Sequence, residues 1–316
     1  MSVSRTGWTA KFLAVVRYEI LWNIRKKKFL GMLVVAFALA TLSLAGGHIA
    51  SAFGGPPVKL NPDFVINSNV GLGGFGFFLF AIVTAMNTIS AEFESGTIVP
   101  LLAKPISRTM VFFGKLFAAF LTLLVTYCFL MFYMTIGGVV VYGSQNNLHL
   151  VPLSLLGALF SSLIWIAIVL FFGTISRSSL IAALGPFGIW LGTNIIGSIL
   201  AVLAGQGWIL TYIPGTGNSG FANGGLSPFG PTGTSVSAGT DSIGPNLINY
   251  ILHPSWEVAY YKINIGGSTP DQIQWVALYS EPLSNIILTS IAVALVYFVV
   301  FVTISWYVFR RAQITE

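Results

Sequence analysis

The sequence predicts an all-α membrane protein with six transmembrane helices. Hydrophobic residues make up 55% of the 316 and charged residues only 8%, where a soluble domain carries roughly a quarter charged. Six apolar runs have the length of about 20 residues that crosses a hydrocarbon core. Lys and Arg gather in alternate connections, as membrane orientation requires. This composition excludes a disordered chain, a collagen-like repeat and an ordinary cytosolic enzyme.

Residues 1–28 precede the first run and read as a cytoplasmic amphipathic helix. Leu13, Val16, Ile20 and Ile24 recur at spacings of three, four and four, which makes one helical stripe. Tyr18 and Trp22 are interfacial side chains, and Arg17, Arg25 and Lys26–Lys28 reach for anionic headgroups. The helix is expected to lie on the inner leaflet and then turn sharply into the bilayer. The first run is too long for a signal peptide, and no cleavage pattern follows it.

The six runs are Phe29–Ile49, Val70–Ser90, Met110–Tyr142, Val151–Ile175, Leu180–Ala204 and Leu283–Phe309. Residues 29–204 therefore hold five spans, residues 283–309 the sixth, and residues 310–316 a tail. The Gly137–Gly138 pair is expected to end or bend the long third run. With both termini in the cytoplasm, thirteen of the fifteen Lys and Arg and four of the nine carboxylates face inward. That leaves +9 inside and −3 outside, so the basic balance reads as orientation rather than nucleic-acid binding.

The connection 91–109 on the cytoplasmic side is too long and too apolar for a solvated turn. Glu92 and Glu94 open it, Gly96 and Pro100 interrupt it, and Lys104 and Arg108 close it. Acid first and base last suit a helix dipole, while Ile98, Leu101 and Leu102 need a surface to bury against. The pattern suits a short helix docking on a partner protein, or a hairpin packing on its own membrane domain.

The extracytoplasmic loop 205–282 divides by composition. Its first half is rich in Gly, Ser, Thr, Asn and Pro and reads as irregular loop. Its second half carries Tyr250, Trp256, Tyr260, Tyr261, Trp275 and Tyr279, which suit a small ordered cap or a re-entrant helix.

The chain offers little chemistry. A phosphate loop is missing, because Gly114–Lys115 has Thr109 where the upstream glycine belongs. No ionisable residue lies in the central part of a span, which argues against a proton- or sodium-driven carrier. Cys128 lies in an apolar run and is expected to act as a small core hydrophobe. His48, His149 and His253 come from separate outer loops without ligand spacing, so no metal site is expected. Asn87 and Asn194 are the polar side chains that invite a pathway role, although a hydrogen bond between helices is the commoner use of an amide placed like Asn194. Gly188 and Gly192 form a small-xxx-small pair suited to helix packing.

The run Glu92-Phe93-Glu94-Ser95-Gly96-Thr97-Ile98-Val99-Pro100-Leu101-Leu102-Ala103-Lys104-Pro105-Ile106-Ser107-Arg108, with Gly114–Lys115 after it, resembles the type-2 permeases of ATP-binding-cassette (ABC) transporters. The lead Phe12–Lys28 is similar to that family's connecting helix. The resemblance implies a permease subunit of an ABC exporter that forms its pathway as a dimer, with an identical or homologous second permease. It implies two copies of a cytosolic ATPase, which would hold ATP and Mg; this chain would hold no cofactor and catalyse nothing. Glu92, Glu94, Gly96, Thr97, Ile98, Leu101 and Leu102 would form the coupling helix seated on that ATPase. Asn87 and Asn194 would lie near the pathway, in a multi-pass protein of the plasma membrane with cytoplasmic termini. A non-transporting membrane scaffold accounts for the same topology but leaves the apolar cytoplasmic connection unexplained.

Overall fold

The computed structural model describes residues 7–25, 27–68, 71–97, 106–202, 207–215, 217–227, 230–265 and 273–312. Among them, six helices are long and apolar enough to cross a membrane: Leu30–Ala52, Gly73–Glu94, Arg108–Tyr142, Leu148–Ser176, Ser179–Gly197 and Leu283–Arg311. Each overlaps its predicted run. The helix α1 (Trp8–Arg25) precedes them, and Lys27, held in the left-handed region at φ 57°, makes the sharp turn into α2 (Lys28–Ala52). The single turn α3 (Phe64–Asn67) follows, and its Phe64 stacks on Tyr142 at 4.0 Å.

The face of α1 that packs shares Val16 and the half-buried Ile20 with the predicted stripe but leaves out Leu13 and Ile24. Val15, Val16 and Glu19 are buried, whereas Leu13 and Ile24 are exposed along with Tyr18, Leu21 and Trp22. Two apolar stripes share this helix. One docks on the bundle, where a Cβ at Gly114 would stand 2.8 Å from the Val15 side chain. The other remains exposed.

The second span is broken. It consists of α4 (Gly73–Ala85) and α5 (Ser90–Glu94), separated by non-helical backbone at Met86–Ile89. The third span, α6 (Arg108–Tyr142), runs 35 residues, about 52 Å at helical rise, against a hydrocarbon core of about 30 Å. Ser107 caps its start by accepting from the Met110 amide at 3.2 Å, and Gly143 at φ 85° ends it. Gly137 and Gly138 do not stop it. They let neighbours approach: a Cβ would stand 2.4 Å from Leu44 at Gly137 and 2.4 Å from Val65 at Gly138.

The fourth span, α7 (Val151–Ser176), is the most enclosed and packs against the second, fifth and sixth spans. Arg177, left-handed at φ 55°, turns it into the fifth span, α8 (Ser179–Val202), which is largely exposed. The sixth span is α10 (Leu283–Arg311). Arg108 donates to the carbonyls of Arg310 (3.1 Å) and Ala312 (2.7 Å), so the start of the third span and the end of the sixth share one end of the bundle, here called the basic end. Cys128 is exposed on the third span, not in the core, because its side of the helix has no neighbour among the described residues.

The opposite end carries an ordered cap, so the chain is not wholly α-helical. Its strands are β1 (Asn218–Ala222), β2 (Leu226–Ser227), β3 (Gly230–Pro231), β4 (Thr234–Ala238), β5 (Glu257–Ile265) and β6 (Ile273–Pro282), with α9 (Ile243–Leu252) between β4 and β5. Four strands form an antiparallel sheet in the order β4-β1-β5-β6, and β2 pairs with β3. The half expected to be irregular therefore supplies four strands. Its small residues are the reason: Gly220, Ala222, Val236 and Ala238 point inward, and the backbone lies so close to its neighbours that a Cβ at Gly217 would overlap Ala238. The aromatic half is ordered as expected, with Tyr260 stacked on Tyr279 at 4.8 Å. Val236, Val258 and Tyr260 pack with Leu283, Ile286 and Ile287, so the sheet grows out of the sixth span.

The cap also seats on the fourth span through glycine: a Cβ at Gly157 would stand 2.2 Å from the Gly244 backbone of α9. Gly157→Val should therefore cost about 1–3 kcal/mol through overpacking. Gly46→Ala, where a Cβ meets nothing within 4 Å, should stay within about 0.5 kcal/mol. Thermal unfolding in detergent and proteolysis of the cap check both.

Candidate functional site

The basic end brings together the charged residues of α1, α5 and α6. Lys115 lies two turns into the third span and is 2% exposed. A charge so deeply buried demands partners. Its ammonium contacts Glu19 of α1 and donates to Glu92 of α5 at 2.6 Å. One cation thus ties the N-terminal helix, the third span and the start of the 91–109 connection.

Glu94 makes a second tie. Its carboxylate accepts from the Ser179 amide and from the Ser179 hydroxyl, both at 2.7 Å. A carboxylate at the N-terminus of α8 satisfies an open amide and complements the helix dipole. These hydrogen bonds favour the charged form of the carboxylate. Between the two acids, the Phe93 ring meets Phe309 at 6.3 Å, and the Arg177 guanidinium lies 5.4 Å from its centre. Ser90, Glu92, Phe93 and Glu94 of α5 therefore touch the third, fifth and sixth spans at this end of the molecule. Gly96, left-handed at φ 66°, then ends the segment, with Ser95 and Thr97 hydroxyls 2.9 Å apart.

Glu92 and Glu94, expected to face a partner, are thus engaged within the chain. Gly96 and Thr97 are exposed beyond them. Ile98, Leu101 and Leu102 lie outside the described residues. Sequence reasoning named Lys115 only within the Gly114–Lys115 dipeptide and did not pair it with Glu19 or Glu92. The available signal was an acid at position 19 on the same stripe as Val15 and Val16.

The two pathway candidates do not come together. Asn87 is half-buried in the break of the second span, within a turn of Ser90, whose hydroxyl lies 3.2 Å from that of Ser179. Asn194 lies fifteen residues beyond Ser179, about 22 Å along α8. Its amide donates to the Trp190 carbonyl at 2.8 Å, a bond within its own helix. A Cβ at Gly188 or Gly192 would meet nothing within 4 Å, so this pair packs no helix among the described residues, contrary to expectation. The histidines do not converge: His253 stacks on Trp256 at 4.3 Å, and His48 lies 6.3 Å from Tyr142. Among the described residues, no group of three His, Cys, Asp or Glu is placed to hold a metal.

The family profile described as ABC-2 family transporter protein matches residues 13–314. The chain belongs to the ABC-2 transporter family. No curated protein matches it. The membership and the six apolar helices make it a multi-pass membrane permease of an ABC transporter. In this ABC-2 permease, the buried Lys115 sits where three separate elements converge.

Lys115→Met should leave two carboxylates facing each other in a dry site and cost about 3–5 kcal/mol. Adding Glu19→Gln and Glu92→Gln should recover most of that loss, because no unpaired charge remains. Thermal unfolding of the purified ABC-2 permease in detergent measures both.

Proposed function

We propose that the chain is the membrane subunit of an ABC exporter, working as a dimer in the plasma membrane with its basic end in the cytoplasm. A separate cytosolic ATPase binds ATP and Mg and hydrolyses the nucleotide. The segment from Ser90 to Leu102 is the coupling element. The observation that carries this reading is the wiring of α5: Glu92 to Lys115, Glu94 to Ser179 and Phe93 to Phe309. A push on that short helix is delivered to several helices at once, which is the rigid-body transmission an ATP-driven switch needs.

The roles within the segment then differ. Ile98, Leu101 and Leu102 supply apolar area to the ATPase, at roughly 25 cal/mol per Å² before association costs. Glu92 and Glu94 hold the element to the permease. The break at Met86–Ile89, where Asn87 lies, separates the coupling helix from the rest of the second span and gives it a hinge. Asn194 and the open Gly188–Gly192 face lie on the fifth span, where a second permease would meet it.

Leu101→Asp should strip the ATPase from a tagged permease during purification. Glu94→Gln should keep the ATPase bound but weaken the tie to the fifth span and lower lipid-stimulated ATP turnover. Full co-purification and unchanged turnover in both variants would overturn the assignment of this segment.

A further inference from the structure

Asp241 is a carboxylate from the cap that enters the helical bundle. It lies in the 3-10 turn Thr240–Ser242 and is 4% exposed. That turn packs on the second, fourth and sixth spans and on α9. Ser161 of the fourth span donates to the Thr240 carbonyl at 2.6 Å, and the Gly215 amide donates to the Thr240 hydroxyl at 2.8 Å. Asn246 ties α9 to β4 through the Ser237 carbonyl at 2.8 Å. The side chain of Asp241 stands against Gly74, where a Cβ would lie 2.4 Å from Oδ2, and reaches toward Trp165 near the middle of the fourth span. The carboxylate belongs to the seat of the cap.

No cation faces it. The second-span helix α4 and the fourth span carry no ionisable side chain. The α9 helix carries only Tyr250, which is exposed, and the sixth span carries Tyr297, Tyr307, Arg310 and Arg311, all in its half toward the basic end. The third span brings Tyr127, whose hydroxyl lies 2.5 Å from that of Ser162 and which is close enough to feel the carboxylate's charge.

We propose that Asp241 is a proton-operated latch between cap and bundle: protonated, it lets the turn Thr240–Ser242 seat among the spans, and ionised, it loosens that seat. Burial pushes its carboxyl from an ordinary 3.8 up to about 7, while the Trp165 indole N–H favours the charged form. The raised value means that the docked cap keeps a proton the released cap has lost. Docking is therefore strongest below the ordinary carboxylate range. It weakens as pH rises toward 7 and changes little above it. This latch is independent of the direction of transport and of the ATPase.

Hydrogen–deuterium exchange of the full chain in lipid nanodiscs tests it, with times corrected for the intrinsic pH dependence of exchange. Opening of residues 239–252 should rise about tenfold per pH unit between pH 5 and 7 and then level. Asp241→Asn, a neutral isostere, should flatten the profile and keep the segment protected at pH 8. A flat profile in the unmodified chain or an unchanged slope in Asp241→Asn would overturn the proposal.

Discussion

The organisation of the basic end depends on one buried ammonium. Lys115 has left water almost completely, and two carboxylates compensate it from 96 residues before and 23 residues before in the chain. Desolvation makes the arrangement costly to dismantle: removal of Lys115 strands two carboxylates in a low-dielectric site, whereas removal of either Glu leaves a single ion pair. The position of α1 against the third span and the position of α5 beneath the second are therefore set by the same atom. Because α5 is also bonded to the fifth span through Ser179, its placement is over-determined.

The other half of the structure is held by contact rather than charge. The fourth span presents Ser154, Gly157, Ser161, Ser162 and Thr174, all buried. Small residues allow close backbone approach, which is how helices associate where lipid removes the hydrophobic incentive. Ser161 and Thr174 return their hydroxyls to main-chain carbonyls, so this polarity is largely internal. The cap uses the same small-residue surface, with α9 at Gly157 and the turn at Ser161.

The two ends consequently differ in chemistry. At the basic end, acids and bases are paired. At the cap end, one carboxylate enters an apolar seat with an indole and a phenol as its polar neighbours. The absence of ionisable residues from the middle of the apolar runs does not mean their absence from the bundle, because a loop can deliver one from outside.

The sequence by itself determined the six spans, because each is a run of apolar residues long enough to be read without neighbours. It also determined the importance of the 91–109 connection, since apolar and acidic residues outside a membrane helix require an explanation. Tertiary structure decided the rest. Which stripe of α1 docks depends on the shape of the third span at Gly114, and the partners of Glu92 and Glu94 lie on helices brought together only by folding. The strands of the cap were hidden because Gly, Ser and Thr can line a buried strand when the opposing backbone comes close, a condition no local pattern records. Asp241 looks like one more acid in a polar loop. Only the seating of that loop between the spans makes it a buried carboxylate.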